Sequence, residues 1–213
     1  MVVHSRTPRR CAGDDGSALV EAAFITPVLL YLLLGILESG LLFRTYMAIG
    51  SAAQDGARTA SVLGGDQYAD YEIIQDVQRS LTVIPQDQIV NLVVFKATGP
   101  NDSVPSVCAT STVGTYSTAP KPCNTYVPSR DWNVPVALKG NYLCLTTSPP
   151  APPGYATGYC PSTRKDALVG ANGPPDYIGI YISVNHKYAS KLFGTTKALS
   201  ATTITRIEPQ SLQ

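Results

Sequence analysis

Charge is scarce in this sequence. Of its 213 residues only 15% are Asp, Glu, Lys or Arg, against about a quarter in an ordinary globular domain. Sixteen basic and fifteen acidic residues leave a formal net charge of +1. That excludes a basic surface able to hold nucleic acid by counterion release. Histidine is nearly missing: beyond residue 16 there is His186 alone, too few for a His-based metal site, and Ser-His-Asp or Cys-His catalysis would have to use that one imidazole. No Gly-rich phosphate loop is followed by Lys. Aromatics make up only 8%. The sequence predicts no catalytic residue, no metal ligand and no cofactor.

Apolar residues, by contrast, make up 44%, and the mean hydropathy is +0.05. The surplus is localised. From Ala18 to Phe43, 19 of 26 residues are apolar and only Glu21 and Glu38 are charged. About 20 apolar residues at 1.5 Å per residue cross a hydrocarbon core of about 30 Å, so this run is long enough to span a membrane once. It exceeds the roughly 7 to 15 residues of a cleaved secretory signal and continues without a break into Thr45 to Val62. Arg6, Arg9 and Arg10 precede it, which places the N-terminus in the cytoplasm and the C-terminal domain outside. Ala48, Ala52, Ala53, Ala57 and Ala60 extend the helix to a stop at Gly64-Gly65. A helix over residues 17–63 would measure about 70 Å, an anchor plus a stalk.

Cysteine usage agrees with an exported domain. Cys108, Cys123, Cys144 and Cys160 all follow the span, and Cys11 sits apart in the basic leader. An oxidising exterior favours bridges, and four cysteines allow three connectivities. The nearest-neighbour pairing is Cys108 to Cys123 and Cys144 to Cys160. Zinc is the rival reading, but no Cys-x-x-Cys pair is present.

Glu21 lies in the apolar helix, where a charge costs on the order of 2.5 to 3.5 kcal/mol and is read first as functional. Such a carboxylate needs a partner. If the leader were cut after Gly16, Ser17 would become a free ammonium and Glu21 the fifth residue. At these positions the sequence resembles the type IV pilin superfamily, whose prepilins carry a short basic leader, a cut after glycine and glutamate at the fifth mature position. Within it, three blocks resemble the TadE-like family of tight-adherence pilus systems: Gly16-Ser-Ala-Leu-Val-Glu-Ala-Ala-Phe-Ile-Thr-Pro-Val-Leu-Leu, Gly35-Ile-Leu-Glu-Ser-Gly, and Ala53-Gln-Asp-Gly-Ala-Arg-Thr-Ala60. The resemblance covers Gly16 to Val62. Ala22 stands where an aromatic is common in these pilins and Asp55 where the family often has glutamate. It implies cleavage between Gly16 and Ser17 by a prepilin peptidase, with Glu21 paired to the Ser17 ammonium of a neighbouring subunit to set register. Cutting there removes three arginines and two aspartates, so the charge becomes 13 minus 13, or zero before the termini are counted.

The outer part, residues 66–209, reads as an α+β domain. Asp66 is positioned to cap a second, short helix whose stripe is Tyr71, Ile74, Val77 and Leu81, closed by Pro85. Strands are predicted over Ile89 to Lys96, over Tyr177 to Tyr188 with one buried and one wet face, and over Leu199 to Ile207, forming a small antiparallel sheet packed on helix. Residues 99–176 form a long, disulfide-braced loop insertion holding 13 of the 17 prolines. Within it, Lys139-Gly140-Asn141 suggests a short hairpin over Val136 to Thr146, and Pro149 to Pro153 a stiff extended stretch. Trp132, Tyr142, Tyr155 and Tyr159 suit either a contact surface or core packing. Glu38 is expected at the membrane interface and His186 at a strand edge.

These readings converge on a membrane-anchored, non-enzymatic pilus component: a minor pilin or pseudopilin whose partners are the membrane, other pilins with their assembly machinery, and a prepilin peptidase. The alternative is a single-pass surface adhesion or ligand-binding protein that never enters a filament. A weaker third reading, an anchored hydrolase, has only the insertion carboxylates Asp102, Asp131, Asp166 and Asp176 to work with, none in a recognisable motif.

Overall fold

The structure, a computed structural model, describes residues 15–110, 122–142, 159–166 and 174–209. The chain divides into two units, Met1–Leu41 and Leu42–Gln213. Helix α1, Asp15–Leu63, runs from the first into the second, contains Pro27 and stops just before Gly64-Gly65. Proline in a helix interior removes one hydrogen bond, and α1 continues through it.

In the second unit α1 presents small residues inward. Ile49, Ala52, Ala53, Ala57 and Ala60 are all buried, at spacings of three, four or seven that place them on one helical face. Their size permits close approach. A Cβ added to Gly56 would lie 2.7 Å from Val77 Cγ2 and 3.4 Å from Ile180 Cγ2, so α1 meets α2 and the sheet at one point. Helix α2, Ala69–Ser80, buries Tyr71, Ile73, Ile74 and Val77, as its periodicity predicts. Asp66 does not cap it. The cap position is Tyr68, which supplies no side-chain cap, and the Asp66 carboxylate accepts the Tyr68 N–H at 2.7 Å. The competing local bond of a short acidic side chain to backbone two residues on has won.

Four antiparallel strands follow: β1 Ile89–Ala97, β2 Cys123–Tyr126, β3 Tyr177–Lys187 and β4 Thr196–Arg206, in the order β2-β1-β3-β4. Short helices α3, Ser106–Ala109, and α4, Pro128–Asp131, flank β2 in sequence. Alternation along β1 and β3 splits the interior in two. Leu92, Val94, Ile178, Ile180, Ile182 and Val184 join α1 and α2 in the main core. Val93, Phe95 and Ala97 face the other way, with Cys108 and Cys123, and Tyr177 and Tyr181 pack on them. The second face of β3 is therefore wet only toward Asn185 and Lys187. Gly179 is there because the Phe95 ring lies over it, in the space any Cβ would need.

Strand β2 falls inside the supposed loop insertion and pairs with β1 through Leu92↔Tyr126 to Phe95↔Cys123. The hairpin expected from Val136 is instead a 3₁₀ turn, Val136–Tyr142, because Tyr142 inserts its ring among Tyr71 and Tyr126 and draws the segment onto the core; residues 143–146 lie outside the described residues, as does Pro149 to Pro153.

Candidate functional site: the apolar helix and the braced second unit

Gly16, Ser17 and Glu21 lie in the first two turns of α1. Ser17 and Glu21 are four residues apart and so share a helical face. Both are exposed, and nothing approaches within 4 Å of where a Gly16 Cβ would stand. The side chains that follow are apolar and open: Leu19 is 73% exposed, Phe24 76% and Ile36 70%. In water this would be an unstable surface, since large exposed apolar patches mark a membrane or a partner. Among the described residues this is the one helix long and apolar enough to cross a membrane. Within it Glu21 is the sole charge between Ser17 and Leu37.

Glu38, expected at the membrane interface, is buried, at 3% exposure. His186 is also buried. Its Nδ1 lies 3.0 Å from Thr45 Oγ1, and its ring meets Tyr188 edge-on at 5.5 Å. It extends the apolar face of β3, and its position between strand and helix explains it without chemistry.

The second unit is held by one disulfide whose two halves are described, Cys108–Cys123, which ties α3 to β2. Cys160 is buried and disulfide-bonded as well; Cys144, its expected partner, lies outside the described residues. Trp132, Tyr142 and Tyr159 are all buried in the main core, so packing, not a contact surface, accounts for them; Tyr155 lies outside the described residues.

Sequence reasoning missed a buried polar cluster. Asp70, in the first turn of α2, receives Arg164 Nη2 at 2.6 Å on one oxygen and Asn124 Nδ2 at 2.7 Å and the Tyr126 hydroxyl at 2.6 Å on the other. Both charged side chains are fully buried. Arg164 also donates to the Tyr159 carbonyl at 3.1 Å and stacks over the Tyr159 ring. Burial first, and the Asp70 charge second, push the Tyr126 phenol well above its ordinary range; burial also raises that of Tyr159. Nearby, Asp131 accepts the Val127 N–H and Arg130, and Asp176 pairs with Lys96 at 3.0 Å. All of these brace the segment between β1 and β3. A signal existed: Asp70 sits on the apolar stripe of Ile73, Ile74 and Val77, where a carboxylate demands a buried partner.

No group of three or more His, Cys, Asp or Glu among the described residues is placed to hold a metal. No curated protein and no solved structure shows significant similarity to this chain. Residues 16–58, all within α1, match the family described as TadE-like protein, so the chain carries a TadE-like segment there.

Proposed function

We propose that the chain is a minor pilin or pseudopilin of a tight-adherence pilus, associating with other pilins through α1. The TadE-like segment supports a tight-adherence pilus-associated protein, and the TadE-like family is one of pilus components, not known for enzymatic activity. The one helix among the described residues that is long and apolar enough to cross a membrane suits a single-pass anchor. In this reading residues 1–16 are a cytoplasmic leader removed by a prepilin peptidase between Gly16 and Ser17. Residues 17–63 form the membrane and stalk helix, and 66–209 lie outside the membrane, with 99–176 as the braced insertion.

The observation that carries the reading is the lone carboxylate, Glu21, one helical turn from Ser17 on a helix otherwise apolar as far as Leu37. Left unpaired in lipid it is destabilising. Paired with a Ser17 ammonium of a neighbouring subunit, it favours one docking register and opposes the others, more than it adds net stability. Glu21→Ala should leave membrane insertion intact and strongly reduce co-purification with the major pilin. An unchanged co-purification profile would refute the pairing. Intact mass of the membrane form, reduced and non-reduced, reports leader cleavage and bridges together; a species beginning at Met1 would remove the prepilin argument.

A further inference from the structure

We propose that the turn joining β3 to β4 is a second membrane contact, in which Leu192 and Phe193 enter the lipid interface while Lys191 and Lys197 engage anionic headgroups. The proposal rests on residues 18–43 being a membrane span.

Position is the first argument. Three contacts fix the direction of β3 along the outer part of α1. Gly64 lies against Ile207, whose N–H donates to the Asp176 carbonyl just before β3 at 3.1 Å. Gly56 lies against Ile180, and Thr45 meets His186 at 3.0 Å. Strand β3 therefore runs antiparallel to residues 45–64 of α1, and residues 188–195 continue past Thr45 at the end of the unit where Arg44 and Phe43 lead into the apolar run. Thr45 is only two residues from Phe43, a reach of about 7 Å at most in extended chain. If residues 18–43 lie in a bilayer, that short link alone keeps Thr45, and the turn beside it, within reach of the bilayer surface.

Chemistry is the second argument. Large apolar residues elsewhere in β1 and β3 are mostly buried, yet Leu192 is 43% and Phe193 59% exposed at the tip. The tip is also shaped. Tyr188 N–H donates to the Thr195 carbonyl at 3.2 Å and Gly194 N–H to that of Lys191 at 3.4 Å. Lys191 and Gly194 both take positive φ, 59° and 109°, and the Tyr188 and Phe193 rings lie 6.3 Å apart. No acidic residue occurs from Tyr177 to Ile207. Lys187 is engaged by Asp87, which leaves the exposed Lys191 in the turn and the exposed Lys197 at the start of β4 as the cationic side chains of the hairpin tip. Exposed Arg44 and Tyr46 stand at the same end. Apolar side chains flanked by lysines and an interfacial tyrosine match the composition of segments that lie in the headgroup layer, where each basic residue adds attraction to anionic lipid.

The test uses the full chain carrying Phe193→Trp, reconstituted into phosphatidylcholine and phosphatidylglycerol vesicles with or without bromines at shallow acyl positions. The introduced indole should emit at shorter wavelength than in water and lose more than half its intensity on brominated lipid. The parent chain, whose Trp132 is buried in the core, should lose little, as should Val62→Trp, about 28 Å of helix beyond Phe43. Removing phosphatidylglycerol, or adding Lys191→Glu, should weaken the quenching. An unquenched indole at position 193 in protein that co-floats with vesicles would overturn the proposal, as would shielding that arises only when other pilins are added. Failure of the parent chain to co-float would overturn the span reading instead, and the hairpin contact with it.

Discussion

The ion pair of Asp70 and Arg164 makes a sharp prediction, because its components and its sum should move stability in different ways. Each partner is fully buried, and the contact is 2.6 Å. Charge centres about 4 Å apart at an effective dielectric of about 20 attract by about 4 kcal/mol. Arg164→Met abandons the Asp70 carboxylate in the core with only Asn124 and Tyr126 as donors. Asp70→Leu abandons the guanidinium, with the Tyr159 carbonyl and ring still beside it. Breaking a buried pair from one side costs about 3 to 5 kcal/mol, since an uncompensated charge stays behind.

The double variant Asp70→Leu/Arg164→Met leaves no charge behind. It loses one acceptor for the Tyr126 hydroxyl, a deficit of about 1 to 3 kcal/mol, while Asn124 still donates to the Tyr159 carbonyl at 2.8 Å. The double variant should therefore be more stable than either single one. Urea unfolding of the full chain in detergent micelles, followed by emission of the buried Trp132, gives the three values against parent. A double variant as unstable as the sum of the singles would refute the reasoning, and so would an Arg164→Met loss below about 1 kcal/mol.

Other consequences are smaller in scope. Cys108→Ser should cost about 3 kcal/mol by the loop-closure model, given a separation of 15 residues; denaturation curves of parent and variant with and without reductant measure it, and a variant as stable as parent would contradict it. Gly179→Ala must displace the Phe95 ring and should lower stability by about 1 to 3 kcal/mol, read as a shift in urea midpoint at unchanged slope. Alkali should unfold the domain through Tyr126 and Tyr159, whose phenols burial holds above the ordinary value. The unfolded chain releases those protons from about pH 10 while the folded one retains them, so their contribution is complete below that pH. It declines by up to about 1.4 kcal/mol per pH unit per group as pH rises toward the folded values. Tyr126→Phe should flatten that decline; an identical slope would show that Tyr126 is not its source.

The parts of the fold legible in the sequence are those set by local period. α1 ends where Gly64-Gly65 follows Leu63, α2 buries the stripe its spacing announces, and β3 alternates with period two. Strand β2 was not legible, since Cys-Asn-Thr-Tyr is four residues long and is buried on both faces rather than alternating. Lys139-Gly140-Asn141 is a sound turn signal, but it could not reveal that Tyr142 would be held by Tyr71 and Tyr126, partners 71 and 16 residues away for which the sequence has no local sign. Arg164 and Asp70 are 94 residues apart. Only the Asp70 half of that pair announced itself, as a carboxylate on an apolar stripe.

The insertion after β1 differs most from its sequence reading, and its fastenings show why it is not an appended loop. Cys123 is both disulfide partner and first residue of β2. Asn124, next to it, joins Asp70 and Tyr159, and Tyr126 ends the strand on the same carboxylate. The exposed β1 edge is thereby covered, which matters because an open edge strand invites pairing with other chains. Four short residues thus connect a covalent bond, a strand ladder and a buried ion pair. Rupture of any one loads the other two, so reducing the disulfide should make Arg164→Met disproportionately harmful. Additive losses in reduced and oxidised protein would show instead that the three fastenings act independently.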